Sequence, residues 1–233
     1  MKIHRFIGQY DLSKNEAEIT NPETVKQIKA VLRMQKGEKI ILSDGKGNEA
    51  EVTLDSISAN KITGLIEPHS AEASRGEYRQ VHLYLSILKK ENFELAVQKA
   101  VECGVSSITP VITERTIKTG LNIARLEKII KEASEQCGQN IVPALSPILK
   151  FKDALADGKK SEERIIFHPG GEDFPKGGGV ASASIFVGPE GGFTDKEIAL
   201  AKENGYTVAS LGPLILRGET AAMVATYRAV YGI

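Results

Sequence analysis

The chain has few cysteines, no excess of charge of either sign and no long apolar run. Its 233 residues include two cysteines and four scattered histidines. A structural zinc site needs several such ligands at close spacing, so we expect no metal and two free, buried thiols in a reducing compartment. The 30 basic and 30 acidic residues cancel, which excludes a protein that grips nucleic acid through bulk positive charge.

The sequence gives no sign of membrane insertion or of export. No stretch approaches the roughly 18 consecutive apolar residues that span a bilayer. Met1 to Arg5 open no apolar h-region, so we expect no signal peptide and a cytoplasmic location. Because 41% of the residues are hydrophobic, the chain has enough apolar side chains for a sizeable core, in one large domain or in a medium and a small one.

The first seventy residues have the pattern of a small β-rich domain. Asn21 followed by Pro22 predicts a helix start, and the helix is expected to end near Arg33. A glycine-rich segment at 44–48 predicts a hairpin turn, because glycine supplies the positive φ that such turns need. Three short runs are typical of strands, at 39–42, 49–54 and 61–66. Closely spaced short strands favour a small barrel.

The pattern changes after a small, polar segment at His69–Gly76, so we place the domains at 1–72 and 73–233. From Val81 onwards, strands alternate with amphipathic helices, which predicts an α/β domain with a mostly parallel sheet. Predicted strands lie at 81–87, 108–113, 164–167, 184–187 and 207–211, and predicted helices run around 93–104 and 126–137, from Thr194 to Gly205 and over 219–231. Between residues 73 and 150 there are 11 basic and 8 acidic residues, a net charge of +3 that is compatible with RNA contact.

One candidate functional segment is the run Gly188-Pro189-Glu190-Gly191-Gly192, which follows a predicted strand and precedes a capped helix. Glycines at this position allow a ligand to approach the backbone at the carboxyl end of a strand. The run is neither the dinucleotide fingerprint nor a P-loop. A ligand loop and a purely structural turn both remain open.

A second segment runs from Leu211 to Ala221 and places Arg217 and Glu219 at the start of the last helix. Glu219 complements the helix dipole there, which is sufficient as a structural explanation. Arg217 lies among apolar residues and glycine, and an arginine in such a position can bind a phosphate or a carbonyl that gains negative charge.

Taken together, these two segments resemble the SPOUT class of methyltransferases. Within that class the chain is similar to the bacterial ribosomal RNA small-subunit methyltransferase E family, the 16S rRNA uracil-N3 methyltransferases. The resemblance extends to several further runs in matching order and spacing, which are Val31-Leu32-Arg33, Asp44-Gly45, Lys89, Gln98-Lys99-Ala100, Gly104-Val105, Arg115-Thr116 and Glu135-Gln136-Cys137-Gly138.

The resemblance implies a PUA-like RNA-binding barrel at the N-terminus and a SPOUT domain with a trefoil knot at about 185–233. It also implies a homodimer, S-adenosylmethionine as the methyl donor and 16S rRNA in the small ribosomal subunit as the partner. The cofactor site would comprise His168, Gly188, Pro189, Glu190, Gly191, Gly192, Leu211, Gly212, Leu216, Thr220 and Ala221. His168 alternatively begins a simple turn.

The expected chemistry needs no metal, because the donor's methyl group is already activated. Arg217 is predicted to stabilise negative charge on the uracil, and Glu219 to orient Arg217, bind the cofactor or act as a base. The uracil N3 lies on the Watson–Crick edge, so the target must be unpaired or extruded. The predicted phosphate contacts, each of which is otherwise an ordinary surface charge, are Arg5, Arg33, Lys89, Arg115 and Lys118.

Three positions depart from the family's pattern, namely Leu214, Gly218 and Gln139. The first two support an alternative, a non-catalytic RNA-binding factor of ribosome assembly. Two more alternatives are an enzyme that binds a nucleotide phosphate at the Gly188 loop, which the missing lysine and metal ligands disfavour, and a SPOUT enzyme acting on another RNA or atom.

Overall fold

A computed structural model describes five stretches of the chain, at 3–67, 79–89, 91–117, 119–174 and 180–232. The chain folds into two units, one formed by Met1–Gly76 with Ser134–Val142 and the other by Glu77–Ala133 with Pro143–Ile233. The predicted domain boundary after residue 72 lies outside the described residues. Within the stretches just given, no helix is both long and apolar enough to cross a membrane.

Over residues 3–67, the N-terminal unit has the elements β1 (His4–Ile7), β2 (Glu16–Ile19), α1 (Pro22–Lys26), β3 (Lys39–Ser43), β4 (Glu49–Ile57) and β5 (Ile62–Ile66), with a π-helix directly after α1. The strand order is β1-β3-β4-β5-β2, with β1 and β3 parallel and the other neighbours antiparallel. The predicted strands are confirmed as β3, β4 and β5. The sequence pattern does not predict β1 and β2, which have only four residues each.

The helix begins as the sequence predicts. The Asn21 side chain accepts hydrogen bonds from the amides of Glu23 (3.0 Å) and Thr24 (3.1 Å), which satisfies two of the donors that a helix start leaves unpaired. After Lys26 the chain continues as a π-helix over Gln27–Val31, whose wider turn the 3.6-residue spacing does not anticipate.

The predicted hairpin turn is also confirmed, and it bonds to a distant segment of the chain. Gly45 and Gly47 have φ values of 71° and 108°, and the Asp44 carboxylate accepts hydrogen bonds from the amide of Lys46 at 2.7 Å. The segment 134–142 packs on this turn in the same unit. Its Asn140 carbonyl accepts from the Gly47 amide at 3.1 Å, and the Val142 amide donates to Gly45 at 2.8 Å.

The C-terminal unit has the predicted α/β alternation, with the elements β6 (Gln80–Ser86), α2 (Glu91–Glu102), β7 (Ser107–Ile112), α3 (Ile123–Cys137), β8 (Ala144–Leu145), β9 (Leu149–Lys150), α4 (Phe151–Gly158), β10 (Glu163–Asp173), β11 (Ser182–Val187), α5 (Asp195–Glu203), β12 (Thr207–Ser210) and α6 (Gly218–Tyr231). The last four residues of α3 lie in the N-terminal unit. The sequence pattern does not predict α4, β8 or β9.

The seven strands form one sheet in the order β12-β10-β11-β6-β7-β8, with β9 beside β7. All pairs are parallel, which confirms the predicted parallel sheet. On one face Tyr84 stacks on Phe186 with ring centroids 4.4 Å apart, and Phe151 and Tyr206 pack edge-on against Phe186. Because every strand runs the same way, the loops that leave their carboxyl ends share one edge of the sheet.

Candidate functional site

The glycine run Gly188–Gly192 forms a tight loop at the carboxyl end of β11. The Gly192 amide donates to the Pro189 carbonyl at 2.8 Å, and Gly192 has a φ of 67°. A Cβ on Gly188 would lie 3.2 Å from the Phe193 ring, whereas one on Gly192 would meet nothing within 4 Å. The loop therefore packs against the core on one side and leaves space beside its backbone on the other.

Two neighbouring loops hold this glycine loop in place. The Glu190 carboxylate accepts a hydrogen bond of 2.8 Å from the amide of Lys89, which lies in the loop after β6. The Arg115 guanidinium, after β7, donates to the Gly191 carbonyl at 2.6 Å. The sequence predicts Lys89 and Arg115 as phosphate contacts. The structure places both beside the predicted cofactor loop.

Glu197 is a buried residue of this edge with two roles, of which the sequence predicts one. It completes the predicted capping box, with Oε2 accepting from the Thr194 amide at 2.9 Å. Its Oε1 also accepts from the Glu114 amide at 2.9 Å, which ties α5 to the loop after β7. No local signal shows this second bond, because the partner is 83 residues away.

The loop after β12 leads to the predicted catalytic residues. Gly212 has a φ of 132°, and no atom lies within 4 Å of a Cβ added there. Leu211 and Leu216 are half-buried, whereas Ile215 is 87% exposed. The amides of Ile215 and Leu216 make no hydrogen bond within the described residues, so polar backbone groups are available along this loop.

Arg217 is the N-cap residue of α6, with an extended backbone (φ −64°, ψ 154°) and an exposed side chain. Glu219 lies in the first turn of α6, followed by the half-buried Thr220 and Ala221. Within the described residues the Arg217 guanidinium has no hydrogen-bond or carboxylate partner, and no bond joins it to Glu219. The guanidinium is therefore available to a ligand.

The structure gives a physical reason for one departure from the family's pattern. A Cβ on Gly218 would lie 2.7 Å from Cδ2 of Leu88, which is a 1% exposed side chain in the loop after β6. A larger residue at 218 would have to displace Leu88. Leu214, in contrast, is 79% exposed, so nothing in the structure explains its identity.

His168 lies in an interruption of β10, where the sequence offers a turn or a cofactor contact. Phe167 and Glu172 both face Ala209 of β12, so residues 168–171 bulge out of the ladder at the carboxyl edge. The His168 Nδ1 lies 2.6 Å from the Pro169 carbonyl. The ring is half-buried, with its Nε2 unoccupied by any described group.

Two of the remaining predicted phosphate contacts, Arg5 and Arg33, belong to the N-terminal unit. In the N-terminal unit, Arg5 pairs with Glu49, and the two side chains are only 13% and 15% exposed. Arg33 is exposed and has a φ of 54°. Lys118 lies outside the described residues.

Two side chains of β6 make polar contacts with neighbouring elements. The Tyr84 hydroxyl donates to Asp157 at 2.8 Å, and His82 Nδ1 lies 2.7 Å from the Ser107 hydroxyl. A hydrogen bond from Lys160 lowers the pKa of Asp157, and burial raises the pKa of Tyr84. Burial also lowers the pKa of His82 below its ordinary value of 6.5. These contacts join β6 to α4 and to β7.

The two parts of the chain match known domain families. A family described as the RNA methyltransferase domain matches residues 75–229, and one described as the RNA methyltransferase PUA domain matches residues 19–67. The first match covers more than half of the chain. The parallel sheet with its loops at one edge is thus the fold of an RNA methyltransferase.

Comparison with individual relatives shows which family of RNA methyltransferases the chain belongs to. The chain is 32% identical to the ribosomal RNA small subunit methyltransferase E of Mesomycoplasma hyopneumoniae, over 76% of this chain and 74% of the relative. It is 31% identical to that of Bacillus subtilis, over 87% and 85%. The chain belongs to the ribosomal RNA small subunit methyltransferase E family, which confirms the resemblance seen in the sequence.

A solved structure of this family resembles the fold closely. The methyltransferase E from Neisseria gonorrhoeae, determined bound to S-adenosyl methionine, superposes with a TM-score of 0.84 at 30% identity and covers 97% of this chain and 95% of its own. The likeness extends over both units of the chain, each of which has a counterpart in that protein.

Proposed function

We propose that this protein transfers a methyl group from S-adenosylmethionine to the N3 of a uridine in 16S rRNA of the small ribosomal subunit. The observation that carries this proposal is the convergence of the Gly188 loop and the loop ending at Arg217 on one edge of the parallel sheet. In a chain of this family, that edge supplies both a cradle for a cofactor and an unpaired guanidinium.

The residues present fit S-adenosylmethionine. Gly192 and Gly212 leave open space where other residues would carry a Cβ, so a ligand can approach their backbone closely. The unpaired amides of Ile215 and Leu216 suit the hydrogen-bonding edge of an adenine ring. The cofactor-binding set that we propose is the one predicted from the sequence, from His168 and the glycine loop to Ala221.

S-adenosylmethionine, when bound, supplies a methyl group already activated by its sulfonium. The protein must then hold the uracil in line and manage one proton, because N3 becomes a good nucleophile only as its hydrogen leaves. We assign Arg217 to the negative charge that then spreads over the uracil O2 and O4. Its exposed, unpaired guanidinium supports this assignment.

We place Glu219 as the second catalytic residue. Since no hydrogen bond joins it to Arg217, the structure favours a role toward the cofactor or the N3 proton over a role in orienting Arg217. Its carboxylate belongs to the first turn of α6, two residues after Arg217, and can accept a hydrogen bond or a proton.

The RNA would be held through phosphate contacts around the same edge and on the N-terminal unit. Lys89 and Arg33 are exposed, which supports their role. Arg5 already pairs with Glu49, and Arg115 already donates to Gly191, so these two would have to share their guanidinium groups with a phosphate. Lys118 is retained on the family resemblance alone.

We further propose a homodimer, a PUA-like barrel in the N-terminal unit and a trefoil knot in the C-terminal unit, in a cytoplasmic protein. An exposed apolar stripe supports the dimer. Met223, Tyr227 and Tyr231 recur every four residues on α6 and are 36%, 47% and 39% exposed, and the two tyrosine rings lie 4.6 Å apart. Such a contiguous apolar patch is typical of an interface.

Transfer of tritium from labelled S-adenosylmethionine to small ribosomal subunits tests the proposal. The subunits come from cells that lack this protein, and nucleoside analysis follows the transfer. Label in N3-methyluridine is the expected result. Label in another nucleoside would overturn the proposed atom, and cofactor binding without any transfer would favour the non-catalytic assembly factor.

A further inference from the structure

A cavity in the N-terminal unit has the lining of a nucleotide site. Its volume is about 400 Å³, toward the lower end of the roughly 300–1,000 Å³ of typical small-molecule sites. It lies between one face of the helix that starts at Pro22 and the turn that joins β4 to β5. The apolar part of its lining consists of Pro22, Val25, Ala30 and Ala59.

The rest of the lining is polar and positively charged. It consists of Thr20, Lys26, Lys29 and Asn60. None of the described residues that line the cavity is acidic. Within the described residues neither lysine has a carboxylate partner, and neither Thr20 nor Asn60 uses its side chain in a hydrogen bond. Two free ammonium groups and two neutral side chains that can donate and accept therefore share the cavity with four apolar residues.

The backbone around the cavity is unusual at the same residues. Lys29 and Ala30 belong to the π-helix, where the Leu32 amide bonds back five residues to the Gln27 carbonyl at 2.9 Å. Single π turns recur at functional sites in other proteins. The opposite wall is fixed, because the Ser58 hydroxyl donates to the Lys61 carbonyl at 2.6 Å and accepts from the Lys61 amide at 3.1 Å.

We propose that this cavity binds one unstacked nucleotide of single-stranded RNA, a site separate from the methyl-transfer edge. The apolar side chains take the face of a base, Asn60 and Thr20 bond its edge, and Lys26 and Lys29 bind the phosphate. A base edge beside an anionic phosphate matches both the neutral polar pair and the lysines, and an acidic peptide, which the lysines alone could attract, is an outcome of the test. The choice of RNA as the ligand rests on the proposed function.

The test uses the full-length protein and fluorescein-labelled hexauridylate, with anisotropy read over a series of salt concentrations. Lys26→Ala with Lys29→Ala is expected to weaken binding about tenfold and to reduce the salt dependence, because each phosphate contact on a single strand contributes a log–log slope of about 0.7. Ala59→Phe fills the cavity without a change of charge, and it should weaken binding with the slope unchanged. Lys14→Ala with Lys36→Ala is the control, with the same loss of charge in the same unit.

Equal affinities in the cavity variants and the control would overturn the proposal. A loss only in the lysine pair, with Ala59→Phe at the wild-type affinity and hexaglutamate competing as well as RNA, would also overturn it, since the lysines would then attract any anion. Methyl transfer to small ribosomal subunits is measured separately. Transfer by the wild type without a cavity effect refutes only the nucleotide site, and a cavity effect without transfer refutes only the methyltransferase activity.

Discussion

The guanidinium of Arg115 donates a hydrogen bond to the carbonyl oxygen of Gly191 across 76 residues of sequence. This contact and the bond between Glu190 and the Lys89 amide hold the glycine loop from two sides. Arg115, which the sequence predicts to contact an RNA phosphate, thus supports the loop on which the proposed cofactor lies.

Replacing Arg115 with alanine should raise the Kd for S-adenosylmethionine about tenfold. A hydrogen bond from a charged donor contributes roughly 1.5–3 kcal/mol, and the solvent exposure of Arg115 places it at the lower end. Calorimetric titration measures the change, with Arg125→Ala as a matched control on α3. An unchanged Kd together with weaker RNA binding would instead assign Arg115 to the RNA.

Replacing Arg217 with alanine should lower kcat by about 100-fold or more, since a donor to developing negative charge typically contributes that much. Binding of S-adenosylmethionine should stay within about twofold of wild type. Single-turnover methylation of small ribosomal subunits measures the effect, and Arg217→Lys should be intermediate because it keeps the charge and loses the planar fork. A rate within about threefold of wild type would refute the proposed role.

Replacing Glu197 with glutamine should lower the free energy of unfolding by about 1–3 kcal/mol. Both carboxylate oxygens accept from backbone amides, and a glutamine turns its own donor toward one of them. Urea unfolding gives the difference. Glu203→Gln, on the exposed side of the same helix, serves as the control, and equal midpoints for the two variants would contradict the prediction.

The stability of the protein should fall as the pH drops through 6.5, in part because of His82. Burial lowers the pKa of this side chain in the folded state, so the unfolded chain takes up the proton first and is favoured as the pH falls. The loss continues until the pH passes the folded pKa. Urea midpoints measured from pH 7.5 to 5 should show a shallower slope for His82→Gln, whereas Ser107→Ala, which leaves the imidazole in place, should keep the wild-type slope.

Replacing Gly218 with threonine should destabilise the fold by roughly 1–3 kcal/mol, because the new Cβ meets Leu88 and overpacking carries that cost. Combining it with Leu88→Val should recover part of the loss. Leu214→Arg, at an exposed position, should change the stability by less than about 0.5 kcal/mol. Thermal unfolding of the three variants distinguishes these outcomes.

The sequence predicts the features of this molecule that depend on neighbouring residues. Asn21 and Thr194 indicate helix starts, because their side chains cap the helices. The alternation of strand and helix patterns predicts the parallel sheet. The glycine loop is also recognisable, because its residue types are unusual over a short span. Each of these signals lies within a few residues of the structure that it predicts.

Features that depend on distant partners are not predictable from such spacing. The bond between Glu190 and Lys89 joins residues 101 positions apart, and the bulge after Phe167 is visible only against Ala209 on the next strand. The π-helix after Lys26 keeps a helical residue pattern while its bonds lengthen to five residues. Short strands such as β1 and β9 are too brief to show a period.

The N-terminal unit includes Ser134–Val142 as well as Met1–Gly76, and Glu135 supplies the carboxylate that accepts from the Ile7 amide at 2.7 Å. A nascent chain therefore cannot complete this unit when Gly76 has been added. At roughly 5–20 residues per second, translation of the stretch up to Val142 takes about 3–13 s more. During that interval the hairpin turn lacks the segment 138–142 that packs on it. Completion of the N-terminal unit therefore depends on residues from the middle of the chain.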